Sequence, residues 1–325
     1  MSDSQTIAAP GARTDASFAD DVRYYLSLRP RQLPSKYLYD GLGSALFEAI
    51  THLPWYSLAR AETRLLRTHA QELFDAAGQV STIVELGPGS GDKLLALLDG
   101  RETELPIELC LIDVSSNALA RANTALRQVS GITVTAFEDA YEAGLERFRR
   151  GRHGSGRTLA LFLGSNIGNF DPPGCDAFLS NLRSALAPGD FLLLGTDLVK
   201  PERDLLLAYD DPLGVTAAFN LNLLLRINRE LAADFEVGRF AHRAVWNRER
   251  SRIEMHLVSR RRQVVRIQAA DFELDIDAGE SIWTESSYKF EPAVITALVE
   301  RNGFRSRAQW LDRGASFALT LAETC

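Results

Sequence analysis

Cysteine and methionine are scarce in this sequence, which has 3 cysteines and 2 methionines among its 325 residues. Cys110, Cys175 and Cys325 are far apart, and their spacing fits neither a zinc-binding motif nor a disulfide framework. We therefore expect a site without a metal and a cytoplasmic protein, because thiols stay reduced in that compartment.

The sequence also lacks the run of roughly 20 apolar residues that a membrane-spanning helix requires. It has no excess of positive charge, since the formal net charge is -7 at pH 7 and the pI is near 5.4. A basic field that could neutralise nucleic-acid phosphates is therefore missing. Residues 1–17 contain acids and small residues without an apolar core, so we predict a disordered segment there. We expect neither a membrane nor a nucleic acid as partner.

A regular alternation of strand and helix is present from residue 81 to residue 198. Apolar runs predict five strands, and helical patterns begin near Asp92, Ser116, Tyr141 and Pro173. Such continuous apolar runs are typical of a parallel sheet that helices cover on both faces. The pattern predicts an α/β fold with a Rossmann-like sheet.

The first of these strands runs into a glycine-rich turn that contains Gly87, Gly89 and Gly91. Turns of this kind bind nucleotide-like cofactors at the carboxyl edge of an α/β sheet. A dinucleotide fingerprint would need a glycine at position 92, where the chain has Asp92, so an NAD-dependent oxidoreductase is disfavoured. Glu85 precedes the turn, and its carboxylate suits a cationic cofactor. We predict S-adenosylmethionine (SAM).

Three further residues near this edge could contact the cofactor, but each also has a simpler explanation. Asp113 ends the second strand, where a carboxylate can accept both ribose hydroxyls, although it could also cap the following helix. Lys93 could contact the methionine carboxylate of SAM or simply be solvated. Asp139 ends the third strand, where it could meet the adenine amino group or be a surface acid.

Residues 201–290 interrupt the alternation with a long helical stretch, broken near Pro212 and Gly214, and with several strand-like runs. A helix that ends at Gly303 and two final strands then look like the reversed final pair of strands in a SAM-methyltransferase sheet. We predict a class I SAM-methyltransferase sheet with a second, α+β substrate-binding domain. The predicted core is 63–200 and 291–325, and the predicted second domain is 18–62 and 201–290.

Seven segments resemble, in order, the histidine Nα-methyltransferase family of ergothioneine biosynthesis: KYLYDGLGSALFEAIT, LPWYSLARAE, FLGSNIGNF, GTDLVK, AYDDPLGVTAAFN, RIEMHL and TESSYKF. The resemblance extends from about Tyr24 to the C-terminus. The chain departs from one member of this family at Trp55, Asn166 and Tyr288, where that member has a glutamate, a threonine and a cysteine. Trp55 and Asn166 are the departures that could alter the rim of the pocket.

The resemblance implies a SAM-dependent enzyme that converts L-histidine into Nα-trimethylhistidine (hercynine), the first step of ergothioneine biosynthesis. The cofactor contacts that it implies are Gly87, Lys93, Asp113, Asp139 and Ala140. The substrate contacts that it implies are Tyr39, Tyr56, Asn169, Tyr209, Met255, Glu285 and Ser287.

These implied roles agree with the chemistry of histidine. Asn169 and Tyr209 can donate hydrogen bonds to its carboxylate, and Glu285 can accept one from an imidazole N–H. Tyr39 is the candidate catalytic residue, which would orient the amine. His256 is assigned no role, because strand alternation points it away from Met255. We expect a monomer.

Two alternatives to the histidine reaction remain open. One is the same reaction on tryptophan or tyrosine, and the other is a SAM-binding protein without activity.

Overall fold

The computed structural model describes residues 17–99, 107–151 and 156–325. The segment predicted to be disordered, apart from Ser17, lies outside the described residues. Contacts divide the described residues into two compact units. The large-sheet unit comprises described residues within Thr51–Gly168, Asp176–Pro201 and Lys289–Cys325. The small-sheet unit comprises described residues within Met1–Ile50, Asn169–Cys175 and Glu202–Tyr288.

These units divide near, but not at, the domain borders that we predicted from the sequence. We predicted the first border between residues 62 and 63, whereas the first segment of the small-sheet unit ends at Ile50. The segment Asn169–Cys175 also groups with the small-sheet unit, although we predicted it as part of the core. The assignment of substrate binding to the small-sheet unit stays a prediction.

The described helices and strands alternate through most of the chain. The α-helices are α1 (Phe18–Ser27), α2 (Gly41–Thr51), α3 (Ser57–Ala77), α4 (Asp92–Leu98), α5 (Ser116–Leu126), α6 (Tyr141–Gly151), α7 (Pro172–Ala185), α8 (Glu202–Tyr209), α9 (Val215–Leu231) and α10 (Pro292–Arg301). The strands are β1 (Arg31–Gln32), β2 (Val80–Leu86), β3 (Ile107–Asp113), β4 (Ile132–Glu138), β5 (Arg157–Phe162), β6 (Phe191–Asp197), β7 (Phe240–Asn247), β8 (Arg252–Ser259), β9 (Gln263–Ile267), β10 (Phe272–Ile276), β11 (Ser281–Tyr288), β12 (Phe304–Asp312) and β13 (Phe317–Thr324).

The large sheet has seven strands in the order β12-β13-β6-β5-β2-β3-β4. Its five strands from β2 to β6 pair in parallel, and β13 pairs antiparallel with both β6 and β12. Only β13 therefore runs against the others, because the two strands of a hairpin must point in opposite directions. The predicted mixed α/β fold with a parallel central sheet is confirmed, with one reversed strand rather than a reversed pair.

Burial explains why these segments form strands. The side chains of Leu161 in β5, Leu193 in β6 and Leu111 in β3 are fully buried. Strands with both faces covered need such continuous apolar runs. The loops that follow β2, β3, β4 and β5 consequently meet at one edge of the sheet, where cofactors bind in open α/β folds.

The small-sheet unit contains a four-stranded sheet in the order β1-β11-β8-β7 and the hairpin β9-β10. The predicted break of its long helical stretch lies between α8 and α9. Asp211 stabilises this break, since its carboxylate accepts hydrogen bonds from the backbone N–H groups of Leu213, Val215 and Thr216. Gly214 adopts a φ of 74°, which favours glycine.

Within the described ranges, no helix combines the length and the apolar composition needed to cross a membrane. Cys110 and Cys175 are buried free thiols, and Cys325 is an exposed one.

Candidate active site

The glycine turn after β2 is shaped by side chains that approach its backbone. A Cβ added to Gly87 would lie 2.9 Å from the hydroxyl of Tyr141 and 3.0 Å from Nδ2 of Asn166. A Cβ on Gly91 would lie 3.2 Å from Cα of Ala122 in α5. Both glycines also have positive φ angles, 73° and 84°. Any larger residue at either position would be strained and crowded.

Asp113 lies beside this turn at the end of β3. Its carboxylate accepts a hydrogen bond of 2.8 Å from the backbone N–H of Ser115, and another from the N–H of Gly89. Burial raises the pKa of this carboxyl group, and the backbone N–H groups oppose that shift. The hydroxyl of Ser115, and not Asp113, accepts the backbone N–H of Ala118 as the cap of helix α5. The ribose contact of Asp113 stays a prediction.

Lys93 forms an ion pair that the sequence analysis missed. Its Nζ atom lies 2.8 Å from Oε2 of Glu62, a residue in α3 that is completely buried. The same carboxylate accepts the backbone N–H of Gly164, at 2.8 and 2.9 Å to its two oxygens. A Cβ on Gly195 would lie 1.9 Å from Oε1 of Glu62, so a glycine leaves room for the carboxylate.

Glu85 is the second buried carboxylate of this region. Both of its oxygens are buried without a hydrogen-bond partner among the described residues. Burial raises its pKa from 4.5 to about 7; Lys93 opposes the shift, while Glu62 and Asp113 add to it. A buried carboxyl group without partners is costly to ionise unless a positive charge approaches it.

Tyr141 is a further residue of this edge that the sequence analysis missed. Burial raises the pKa of its phenol well above the ordinary value, and Asp113 and Glu142 add to the shift. Its hydroxyl approaches Gly87, and its ring packs edge-on against Phe162. Tyr141 is half-buried, and its phenol at the turn offers both a hydrogen-bond donor and an acceptor.

The assignment of Asp139 has a competing explanation in the structure. Nη1 of Arg147 lies 2.6 Å from its carboxylate, and the same guanidinium stacks over the ring of Phe137 at 4.3 Å. Ala140, the next residue, is exposed. A surface ion pair therefore accounts for Asp139, and its adenine contact stays a prediction.

The large-sheet residues fit a cationic nucleoside. Gly87 and Gly91 keep the turn open, Asp113 offers carboxylate oxygens for ribose hydroxyls, and Glu85 offers two unpartnered oxygens for positive charge. Lys93 supplies one ammonium group, which Glu62 already pairs.

The turn after β5 brings polar side chains to the same edge. Gly164 and Ser165 both have positive φ angles, 78° and 59°, and the Ser165 hydroxyl accepts the backbone N–H of Asp197. A positive φ is uncommon outside glycine and marks a backbone that its surroundings hold in place. A short 3-10 helix, Asn166–Asn169, follows and ends with the predicted substrate residue Asn169, which is half-buried.

The small sheet brings four predicted substrate residues together. Glu285 pairs directly with Met255 across β11 and β8, and Ser287 lies two residues further along β11. Residues two apart in a strand share a face, so Glu285 and Ser287 both face the side of Met255. The hydroxyl of Tyr209 lies 2.7 Å from that of Ser287.

A register shift between Trp283 and Glu285 sets this arrangement. Before the shift, Trp283 pairs with His256 and stacks on its ring at 6.2 Å. After it, Glu285 pairs with Met255, which is buried on the opposite face of β8 from His256. The extra residue of a bulge changes which residues share a face.

Tyr39 lies in an aromatic cluster of the small-sheet unit. Its ring centroid is 5.4 Å from that of Phe47 and 5.5 Å from that of Phe219, in edge-on arrangements. The adjacent Asp40 accepts hydrogen bonds of 2.7 Å from the side chains of Asn222 and Arg229 in α9. These bonds fix the segment that carries Tyr39.

Tyr56 differs from the other predicted substrate residues, because it belongs to the large-sheet unit. It directly precedes α3 and is 6% exposed.

Among the described residues, no group of three His, Cys, Asp or Glu side chains could hold a metal ion. The expectation of a metal-free site stays a prediction.

Comparison with known proteins identifies the family. A family model described as "Histidine-specific methyltransferase, SAM-dependent" matches residues 18–324. The chain belongs to this family. Our prediction from the seven sequence segments is therefore confirmed.

Several individual proteins are similar to the chain. The chain is 45% identical over 304 residues to the histidine N-alpha-methyltransferase of Mycolicibacterium smegmatis, covering 93% of each protein. It is 28% identical to ergothioneine biosynthesis protein 1 of Schizosaccharomyces pombe, over 86% of this chain and 37% of that protein. A solved SAM-dependent methyltransferase of Clostridium acetobutylicum matches 86% of this chain and 97% of its own, with 10% identity and a TM-score of 0.47.

Proposed function

We propose that this enzyme methylates the α-amine of L-histidine three times and so forms hercynine, in the first step of ergothioneine biosynthesis. The family match supports SAM as methyl donor. The name of the Mycolicibacterium relative supports histidine as acceptor, and that of the Schizosaccharomyces relative supports the pathway.

The observation that carries the choice of histidine is the polar face formed by Glu285, Ser287 and Tyr209 beside Met255. The Glu285 carboxylate and the Ser287 hydroxyl can hold the two nitrogens of an imidazole ring, which leaves the Tyr209 hydroxyl for the substrate carboxylate. An indole offers only one N–H, so it would leave part of this polar face unpaired. Asn169 would donate to the substrate carboxylate together with Tyr209.

SAM supplies a methyl group on a positively charged sulfur, so the protein has to hold a neutral amine in line with it. We assign this positioning to Tyr39, whose hydroxyl would orient the amine while Phe47 and Phe219 hold its ring. Each transfer forms an N–C bond, breaks the S–CH3 bond so that the sulfur leaves as neutral S-adenosylhomocysteine, and gives a charged amine. That amine has to release a proton to water before it can accept the next methyl group.

The aromatic cluster also suits the product. A trimethylated nitrogen is a permanent cation without an N–H, so it cannot donate a hydrogen bond. Rings such as those of Tyr39 and Phe219 attract such a cation through their faces.

For the cofactor, we assign SAM binding to Gly87, Lys93, Asp113, Asp139 and Ala140.

A substrate panel tests the proposal. Purified protein is incubated with SAM and with histidine, tryptophan or tyrosine, and products are measured by mass spectrometry. We expect trimethylated histidine and little product from the other two. Methylation of tryptophan or tyrosine instead of histidine would contradict the acceptor assignment. SAM binding without any transfer would identify a non-catalytic protein.

We further propose that the protein acts as a cytoplasmic monomer without nucleic-acid or membrane partners. Its free thiols and acidic charge support this proposal. Light scattering of the purified protein checks its mass, with a dimer as the contradicting result.

A further inference from the structure

His242 in β7 contacts the main chain of Tyr209 and has no role in the proposed function. Its Nε2 atom lies 2.8 Å from the carbonyl oxygen of Tyr209, the last residue of α8. The carbonyl groups at the end of a helix have no partner within the helix. His242 therefore supplies the hydrogen bond that holds the end of α8 against the small sheet.

The tautomer of His242 follows from its partners. A carbonyl oxygen can only accept, so Nε2 has to carry the proton. Nδ1 lies 3.0 Å from Nδ2 of Asn220, and that same Nδ2 lies 3.3 Å from the carbonyl oxygen of His256. The His256 carbonyl requires the amide nitrogen of Asn220 to face it. Nδ1 therefore accepts from Asn220 and is unprotonated.

Protonation of His242 would break this arrangement. Nδ1–H would then face the NH2 group of Asn220, and no acceptor would be available unless the amide turned. A turned amide would point its oxygen at the carbonyl of His256. The side chain of His242 is also only 1% exposed, so water cannot replace the lost bond.

The charged groups around His242 do not reverse its preference for the neutral form. Burial lowers its pKa, and nearby His256 lowers it further. The hydrogen bond to Tyr209 and the carboxylates of Asp210 and Asp211 oppose the shift, but the Asp210 oxygen lies 4.0 Å away on a half-exposed side chain. Glu254 on β8 is already paired with Arg252.

Tyr209 is thus held at two points within the small-sheet unit. Its carbonyl is fixed to β7 by His242, and its hydroxyl bonds to Ser287 in β11. We propose that neutral His242 is a positioning residue for the amino-acid substrate, because it fixes the backbone from which the Tyr209 hydroxyl reaches Ser287 and the substrate. This inference rests on the proposed function. It predicts that acid weakens substrate binding through His242.

Two variants test the inference. His242→Ala removes the hydrogen bond, whereas His242→Gln retains a side-chain N–H donor that does not titrate. We expect His242→Ala to raise KM for histidine about tenfold, the usual effect of one lost hydrogen bond, with the affinity for S-adenosylhomocysteine within about twofold of wild type. His242→Gln should recover most of the loss. The control is His69→Gln in α3, which should match wild type.

The pH dependence separates positioning from a purely structural role. The ratio of KM in wild type to KM in His242→Gln should be constant at pH 7 and above. It should rise only below pH 6.5, the ordinary pKa of histidine, because burial moves the pKa of His242 below that value. Titration of the substrate cancels in this ratio. A ratio that stays flat down to the lowest pH at which wild type remains folded and active would overturn the inference. Equal losses of histidine and S-adenosylhomocysteine affinity in His242→Ala would also overturn it.

Failure of the proposed function would look different. If wild type methylates a different amino acid, the same ratios are measured with that amino acid, and the inference is tested on it directly. If wild type transfers no methyl group, calorimetric dissociation constants for the amino acid replace KM. A variant that binds it as wild type does would then overturn the inference.

Discussion

The two sets of site residues use different physical means. In the large-sheet unit, buried charges dominate: Glu62 pairs with Lys93, and Glu85 has two unpartnered oxygens. In the small-sheet unit, the bond between Tyr209 and Ser287 joins two neutral groups, and neutral His242 supports it. Stability should therefore respond to charge in the first region, and substrate affinity to hydrogen-bond geometry in the second.

The largest effect is expected from Glu62→Ala. The substitution leaves the Lys93 ammonium and the Gly164 N–H without their buried partner. Breaking one side of a buried ion pair usually costs about 3–5 kcal/mol, so the free energy of unfolding should fall by that amount in urea titrations. Glu146→Ala is the control, because its pairs with Arg149 and Arg150 are exposed and should matter far less. Equal stability of the two variants would contradict the comparison.

The next effect concerns the pH dependence of stability. The pKa of Glu85 rises from 4.5 to about 7, so the folded state keeps a proton that the unfolded state loses in this window. The contribution to stability is present below about pH 4.5 and is lost as pH rises towards 7, by about 3 kcal/mol. Glu85→Gln removes this titration.

The measurement is the free energy of unfolding of wild type and Glu85→Gln, without ligand, at several pH values. The difference between the two proteins should grow in favour of the variant as pH rises from about 4.5 to 7. A constant difference across this window would mean that Glu85 titrates normally.

The same contrast decides how much could be predicted from the sequence. The order of strands and helices and the Gly87 turn were predictable, because apolar periodicity and a glycine motif are local signals. The break between α8 and α9 was predictable from Pro212 and Gly214 for the same reason.

Residues that act across distant segments were not predictable in this way. Glu62 pairs with Lys93 and Gly164 from a different part of the chain, and His242 meets Tyr209 from another strand. One signal for Glu62 was available: it lies among Leu58, Leu65 and Leu66 on the buried side of α3. A carboxylate on an apolar helix face indicates a buried partner. His242 offers no such pattern.

A third prediction tests substrate recognition. Glu285→Gln removes the negative charge next to Met255, and a charge-assisted hydrogen bond is worth about 1.5–3 kcal/mol. We expect kcat/KM for histidine to fall roughly 10- to 100-fold, and the preference over tryptophan to narrow. Glu254→Gln is the control on the opposite face of β8, where Glu254 pairs with Arg252. Similar losses in both variants would show that Glu285 has no special role.

The smallest effect is expected for the hydroxyl pair of Tyr209 and Ser287. Tyr209→Phe and Ser287→Ala each remove one neutral partner, so each should raise KM for histidine by about three- to tenfold. The double variant should lose less than the sum of the two, because each single change already breaks the shared bond. A coupling energy of about 1 kcal/mol is expected, and it should persist at high salt because neither group is charged. Salt should instead weaken the interaction between Glu62 and Lys93, because both groups are charged. If salt also lowered the coupling energy between Tyr209 and Ser287, the contrast between the two regions would be wrong.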